Sequence, residues 1–279
     1  MIQDIYPSKL DNSYQNRKPQ IGDICMIFNK EGALLVKPEG DRLIFPVWDQ
    51  ELLHMIENGA CVVYLFSVDE RKFFLLLCED KEYSLSGFVY RTVRQLRGTC
   101  VNVDLMAAFT AYHLWHWYDN NKFCGRCKGA FSFSETERAL VCPDCGQIIY
   151  PRINPAVIVG VIKGDSLLIT RYKRGYAHNA LVAGFTEIGE TLEETVAREV
   201  MEETGVKVKN IRYYKSQPWG MAQDILVGFY CEADGDGQIH MDENELKYAE
   251  WVPRERIDLQ PSDISLTNEM MKTFRDGRE

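Results

Sequence analysis

Gly184-Phe-Thr-Glu-Ile-Gly-Glu190-Thr-Leu-Glu-Glu-Thr-Val-Ala-Arg198-Glu199-Val-Met-Glu202-Glu203-Thr-Gly205-Val206 is the stretch on which the reading of this chain turns. Thr191 followed by Glu194 is a capping box, which predicts a helix starting near Leu192. Gly205 supplies its stop, because glycine tolerates the left-handed conformation that ends helices. At about 100° per residue, Leu192, Val196 and Val200 form an apolar stripe that must face a core. Glu199 and Glu203 fall on or beside that stripe, and Glu202 sits to the other side of Glu199. Carboxylates gathered on an inward edge raise one another's pKa, and a divalent cation resolves the conflict. Hard oxygen ligands at i, i+3 and i+4 suit Mg²⁺ or Mn²⁺, which take further ligands from water and substrate phosphates. Arg198 is expected to reach Glu194 and Glu202, leaving Glu199 and Glu203 as the better direct ligands. The bland alternative is a solvated acidic helix laced by ion pairs.

Upstream, Cys124-Gly-Arg-Cys127 and Cys142-Pro-Asp-Cys145-Gly146 stand 14 residues apart. Each pair can wrap a knuckle around a tetrahedral ion, with Gly125 and Gly146 easing the turns. Four thiolates without another ligand match a closed, structural Zn²⁺ site. Cys25, Cys61, Cys78, Cys100 and Cys231 read as small core residues.

Length and pattern divide the chain of 279 residues into segments 1–118, 119–150 and 151–279. In the first, Ile24–Asn29 and Ala33–Lys37 flank a hairpin-like Lys30-Glu31-Gly32, and Cys61–Val68 and Phe73–Cys78 flank a second turn. A helix is expected over Leu105–Tyr118 with Asp104 as N-cap. His113 and His116 lie on it without a third ligand nearby, so a structural role is expected. The last segment reads as strands at Ala156–Ile162, Ser166–Arg171, Val208–Tyr214, Ile225–Cys231 and Tyr248–Val252, an order that suggests an α+β or α/β/α sandwich.

The net charge of −9 argues against binding nucleic acid or anionic membrane by bulk electrostatics. The N-terminus lacks a signal peptide's basic start and apolar run, and no apolar run is long enough to span a bilayer. A cytoplasmic protein with reduced cysteines is therefore expected.

The opening stretch matches the Nudix box, G-x5-E-x7-R-E-U-x-E-E-x-G-U with U aliphatic, at every fixed position: Gly184, Glu190, Arg198, Glu199, Val200, Glu202, Glu203, Gly205 and Val206. The four-cysteine ribbon, Tyr150-Pro151-Arg152 and Ser216-Gln217-Pro218-Trp219 together resemble the NADH pyrophosphatase subfamily. Its SQPWPFPxS signature is kept here only in its first four positions, followed by Gly220-Met221-Ala222-Gln223-Asp224. The resemblance covers about residues 90–265.

It implies an α+β protein: a Nudix α/β/α sandwich preceded by a zinc ribbon and an N-terminal mixed α/β domain. It implies Mg²⁺- or Mn²⁺-dependent hydrolysis of NAD(H) to nicotinamide mononucleotide and AMP, and a homodimer. The metal ligands it implies are Glu199, Glu203, the Ala183 carbonyl and Glu245. Implied substrate contacts are Arg94, Glu137, Tyr150, Gln217, Pro218, Trp219, Gly220, Met221, Ala222, Gln223, Asp224 and Ser265. Phe185 could stack on a base or serve as a core aromatic. The general base would be Glu202 or Glu203. Three alternatives remain open: another nucleoside diphosphate substrate such as ADP-ribose, removal of NAD caps from RNA, or a non-catalytic nucleotide-sensing module.

Overall fold

The continuous apolar runs of the sequence become strands buried on both faces, and the strictly alternating runs become strands with one open face. The computed structural model describes residues 1–77, 82–173 and 178–279. They form two units: a C-terminal one of residues 1–2, 153–219 and 224–279, and an N-terminal one of 3–152 and 220–223.

In the N-terminal unit, β1 (Leu10–Asp11), β2 (Ile24–Ile27), β3 (Ala33–Glu39), β4 (Arg42–Ile44), α1 (Gln50–Glu57), β5 (Cys61–Val68), β6 (Arg71–Leu77), β7 (Val89–Thr92), α2 (Val93–Leu96) and α3 (Asn102–Asn120) follow in order. One sheet runs β1-β5-β6-β2 and another β4-β3-β7. The β5–β6 hairpin is the expected one, although Cys78 lies outside the described residues. The first expected hairpin is not. Its turn exists, with the Asn29 amide donating to the Ala33 carbonyl at 2.9 Å, but β2 and β3 share only the Phe28–Leu34 bridge and leave for different sheets. Leu34, Leu35 and Val36 are all buried, so both faces of β3 need cover and the local turn does not choose its ladder partners.

Asp104 is likewise not an N-cap. The helix begins at Asn102 after Val101, and the wholly buried Asp104 carboxylate accepts from Arg42 Nε at 2.6 Å and from the Leu43 amide at 3.0 Å. It ties α3 to β4, and removing one partner would strand a buried charge. The ribbon strands β8 (Ser132–Phe133), β9 (Leu140–Val141) and β10 (Ile148–Ile149) complete this unit.

The C-terminal unit holds β11 (Asn154–Lys163), β12 (Ser166–Tyr172), β13 (Val182–Phe185), α4 (Leu192–Thr204), β14 (Lys207–Trp219), β15 (Asp224–Asp234), β16 (Leu246–Pro253) and α5 (Leu266–Arg275). Its sheet order is β14-β15-β11-β12-β16, with β13 also paired to β11. Alternation along β11 separates two cores. Val157, Val159 and Val161 pack with Val196 and Val200 of α4, whereas Ile158 packs with Leu266, Met270 and Phe274 of α5. A sheet lies between two helices, the α/β/α sandwich. Each fully buried Val, Leu, Met or Phe contributes about 1.5–3 kcal/mol, so both helices are held chiefly by this apolar packing.

Candidate active site

Helix α4 starts as its sequence dictates: the Glu194 amide donates to Thr191 Oγ1 at 3.2 Å, and the Thr191 amide donates to Glu194 Oε2 at 2.8 Å. Gly205 ends it at φ 69°. Val196 and Val200 fix the rotation of the helix, and that rotation carries Glu203 inward until it is only 2% exposed. Glu199 is half-buried and Glu202 is exposed.

Arg198 organises the outer edge. Its Nε donates to Glu190 Oε1 at 2.6 Å, Nη1 to Glu199 Oε1 at 2.8 Å and to Glu202 Oε2 at 3.0 Å, and Nη2 to the Phe185 carbonyl at 2.9 Å. The expected contact with Glu194 is absent, because the capping box already holds that carboxylate. Glu190 takes its place, and the guanidinium holds the Glu190 carboxyl down at about 2.

Around Glu203 the balance runs the other way. Burial first, then the negative charges of Glu199 and Glu245, push its carboxyl up to about 8 against the opposing hydrogen bond from Tyr172. The Tyr172 hydroxyl, at the end of β12, donates to the Glu203 carboxylate at 3.0 and 3.1 Å and accepts from the Ala183 amide at 3.1 Å. Sequence reasoning missed Tyr172. Its one signal is an aromatic residue with a polar tip at the end of a strand built around Leu167, Leu168 and Ile169. Glu199 is also raised, by burial first, although Arg198 opposes it. A Cβ on Gly184 would stand 2.0 Å from Glu199 Cδ, so the bare glycine is what lets that carboxylate lie against β13.

Three carboxylates that feel one another, one of them buried, are a donor set that fits a hard divalent cation. They are not drawn together as tightly as the cysteines. Among the described residues, the set whose ligand atoms all lie within 4.8 Å of one another is Cys124, Cys127, Cys142 and Cys145. The sulfur cluster fits a structural Zn²⁺. Gly146 makes its turn at φ 73°, but in the other knuckle the left-handed residue is Lys128 at φ 68°, not Gly125.

Other expected residues fall in both units. In the C-terminal one, Phe185 is 53% exposed and so is no core aromatic. Gln217 is fully buried; its amide donates to the Ile264 carbonyl at 2.8 Å and accepts from the Leu266 amide at 2.7 Å. Ser265 caps α5 and donates to Gln260 at 2.8 Å. Pro218 and Trp219 end β14, and Asp224 opens β15 with its carboxyl pushed by burial to about 6. In the N-terminal unit, Arg94 lies in α2 and Tyr150 donates to Glu137 at 3.1 Å. Residues 220–223 belong there too, and a Cβ on Gly220 would stand 2.3 Å from the Phe109 carbonyl.

His113 and His116 take internal partners, the Arg152 carbonyl and Asn120, each at 2.8 Å. Cys25 and Cys231 are buried as expected, whereas Cys61 and Cys100 are only half-buried.

Residues 152–274 match the NUDIX domain family, and residues 119–150 match the NADH pyrophosphatase zinc ribbon domain. The chain is 42% identical over 227 residues to the NAD-capped RNA hydrolase NudC of Klebsiella pneumoniae, covering 80% of each chain. It is 44% identical over 173 residues to the protein of that name from Citrobacter koseri, 61% of this chain and 66% of the relative. Among solved structures, a NUDIX hydrolase from Nitrosomonas europaea shares 22% identity at a TM-score of 0.49, covering 56% of this chain and 92% of the other.

Proposed function

This chain belongs to the Nudix hydrolases that carry an NADH-pyrophosphatase zinc ribbon, and from that premise we propose that it hydrolyses the pyrophosphate of NAD(H) to nicotinamide mononucleotide and AMP, and cleaves the same bond in NAD-capped RNA. The observation that carries the reading is the buried Glu203, whose carboxyl feels the charges of Glu199 and Glu245, beside a Gly184 whose missing side chain lets Glu199 lie against β13. Glu199, Glu203, Glu245 and the Ala183 carbonyl would hold Mg²⁺ or Mn²⁺, which would supply charge neutralisation at the pyrophosphate and acidify a bound water.

The chain's own groups do the rest. Tyr172 fixes the Glu203 carboxylate, and Arg198 fixes Glu199 and Glu202. Glu202, exposed and outside that ligand set, takes the proton of the attacking water as its oxygen bonds to phosphorus and the anhydride oxygen departs. The open ring of Phe185 offers a stacking face for a base or for nicotinamide. Among the described residues no helix is long and apolar enough to cross a membrane. We place the protein in the cytoplasm as a homodimer, in line with its resemblance to the subfamily.

One observation favours a second substrate. The close fit of Gly220 against Phe109 leaves no room there for the proline of the subfamily signature, so the loop after Trp219 departs from the subfamily's and ADP-ribose stands beside NADH as a candidate substrate. The test is a panel of NADH, NAD, ADP-ribose and NAD-capped RNA with Mg²⁺ or Mn²⁺, the products separated by chromatography. Nicotinamide mononucleotide and AMP released by the wild type, and kcat lowered by orders of magnitude in Glu203→Gln, are expected. Turnover unchanged in that variant would remove α4 from the mechanism.

A further inference from the structure

A cavity of about 300 Å³ opens in the N-terminal unit, with Tyr14, Arg17, Tyr64, Tyr118, Phe133 and Glu135 in its walls. That is the lower end of the size range of small-ligand sites. Every residue lining it belongs to this unit, and none comes from α4. The walls are built rather than incidental. The Tyr14 hydroxyl donates to the Ser134 carbonyl at 2.7 Å, and Asn16 Nδ2 donates to the Glu135 carbonyl at 3.2 Å, so the N-terminal segment is strapped onto the ribbon.

Two polar groups on lining residues lack partners. Tyr64 is 3% exposed and its hydroxyl has no hydrogen-bond partner; Arg17 Nε is buried and equally unpartnered. Next in sequence to lining residues, Arg138 is held by Asn12 and the Leu65 carbonyl, and its Nε is a third buried donor without an acceptor. Buried donors are almost always satisfied in folded proteins, so two on the walls of one cavity point to an acceptor that arrives from outside. Guanidinium donors select an anion, and phosphate above all. The rings select something flat: Tyr118 and Phe133 stand 5.6 Å apart at 53°. Glu135 and the Tyr64 hydroxyl add an acceptor and a two-way group suited to the edge of a base.

We propose that this cavity binds a mononucleotide unit, its base against the Tyr118 and Phe133 rings and its phosphate at Arg17. The unit is either a free mononucleotide or one nucleotide of an RNA strand. The proposal does not rest on the hydrolysis reading, and loss of NADH turnover would leave it standing.

The experiment is calorimetric titration of the zinc-loaded full chain, in buffer without Mg²⁺ or Mn²⁺, with AMP, adenosine, inorganic phosphate and a 5′-phosphorylated trinucleotide. Saturable AMP binding is expected, with adenosine and phosphate each weaker by at least tenfold. Arg17→Gln should weaken AMP binding at least tenfold, and Tyr64→Phe, which removes one oxygen and keeps the ring, about threefold to tenfold. Both should keep the circular dichroism spectrum and melting temperature of the wild type, which shows that they fold. A trinucleotide tenfold tighter than AMP identifies the strand as occupant, and equal affinities identify the free nucleotide. No saturable binding by the wild type, or AMP affinity unchanged in Arg17→Gln, overturns the proposal.

Discussion

The Tyr172 hydroxyl lies 3.0 and 3.1 Å from the two carboxylate oxygens of Glu203, and this tyrosine is what keeps a buried acid pointing at its neighbours. Tyr172→Phe removes the donor and leaves the ring. Partners of metal-binding side chains typically cost about 10–100-fold in metal affinity or activity when removed. We expect a loss in that range, seen as a higher Mg²⁺ requirement for NADH hydrolysis with circular dichroism unchanged. A wild-type Mg²⁺ dependence would show that Glu203 is positioned without it.

Gly184→Ala tests the close approach on the other side. The added methyl would stand 2.0 Å from Glu199 Cδ, and because that atom is near the end of a flexible side chain, the carboxylate can swing away while the fold survives. The expected outcome is a melting temperature near wild type and NADH kcat/KM lower by at least tenfold. If the variant unfolds instead, the glycine serves packing rather than the placement of Glu199.

How far the sequence revealed this site depends on how local each interaction is. The capping box, the Gly205 stop and the stripe of Val196 and Val200 are encoded within one stretch, and the structure realises each of them. Tyr172 could not be found that way, because strand pairing and a register shift between Arg171 and Tyr172 set it opposite Leu246, next to Glu245. Asp104 misled for the same reason. Its position looks like a cap, but its partner Arg42 is 62 residues away in sequence. Gly220 is a further case: the carbonyl it packs against belongs to α3, and nothing in the loop's own sequence announces that neighbour.

Asp224 carries a pH signature. Burial raises its carboxyl from 3.8 to about 6 in the folded chain, and one of its oxygens is buried without a partner. Below 3.8 both states hold the proton and the group is neutral in its effect. As pH rises to about 6 the unfolded chain releases the proton first, so folding stability falls across that window and stays lower above it. Asp224→Asn should therefore melt like wild type near pH 3.5 and at a higher temperature at pH 7. Differential scanning fluorimetry across this range gives the test, and a temperature gap independent of pH would contradict it.

Zinc removal probes the ribbon. Its strands β8, β9 and β10 are two residues long each, too short to build a core, so the four cysteines must supply the cohesion. Structural zinc binds small domains with about 10–16 kcal/mol of free energy, much of it folding energy. One zinc per chain is expected by elemental analysis. Stripping it should expose residues 119–150 to hydrogen exchange and proteolysis while α4 keeps its protection, since Val196 and Val200 are packed by β11 and not by metal. Cys142→Ser should reproduce the pattern without chelator, because it removes a buried ligand and leaves α4 untouched. Uniform protection with and without zinc would mean that the sulfur cluster is dispensable to the ribbon, and the two cysteine pairs would then need another explanation.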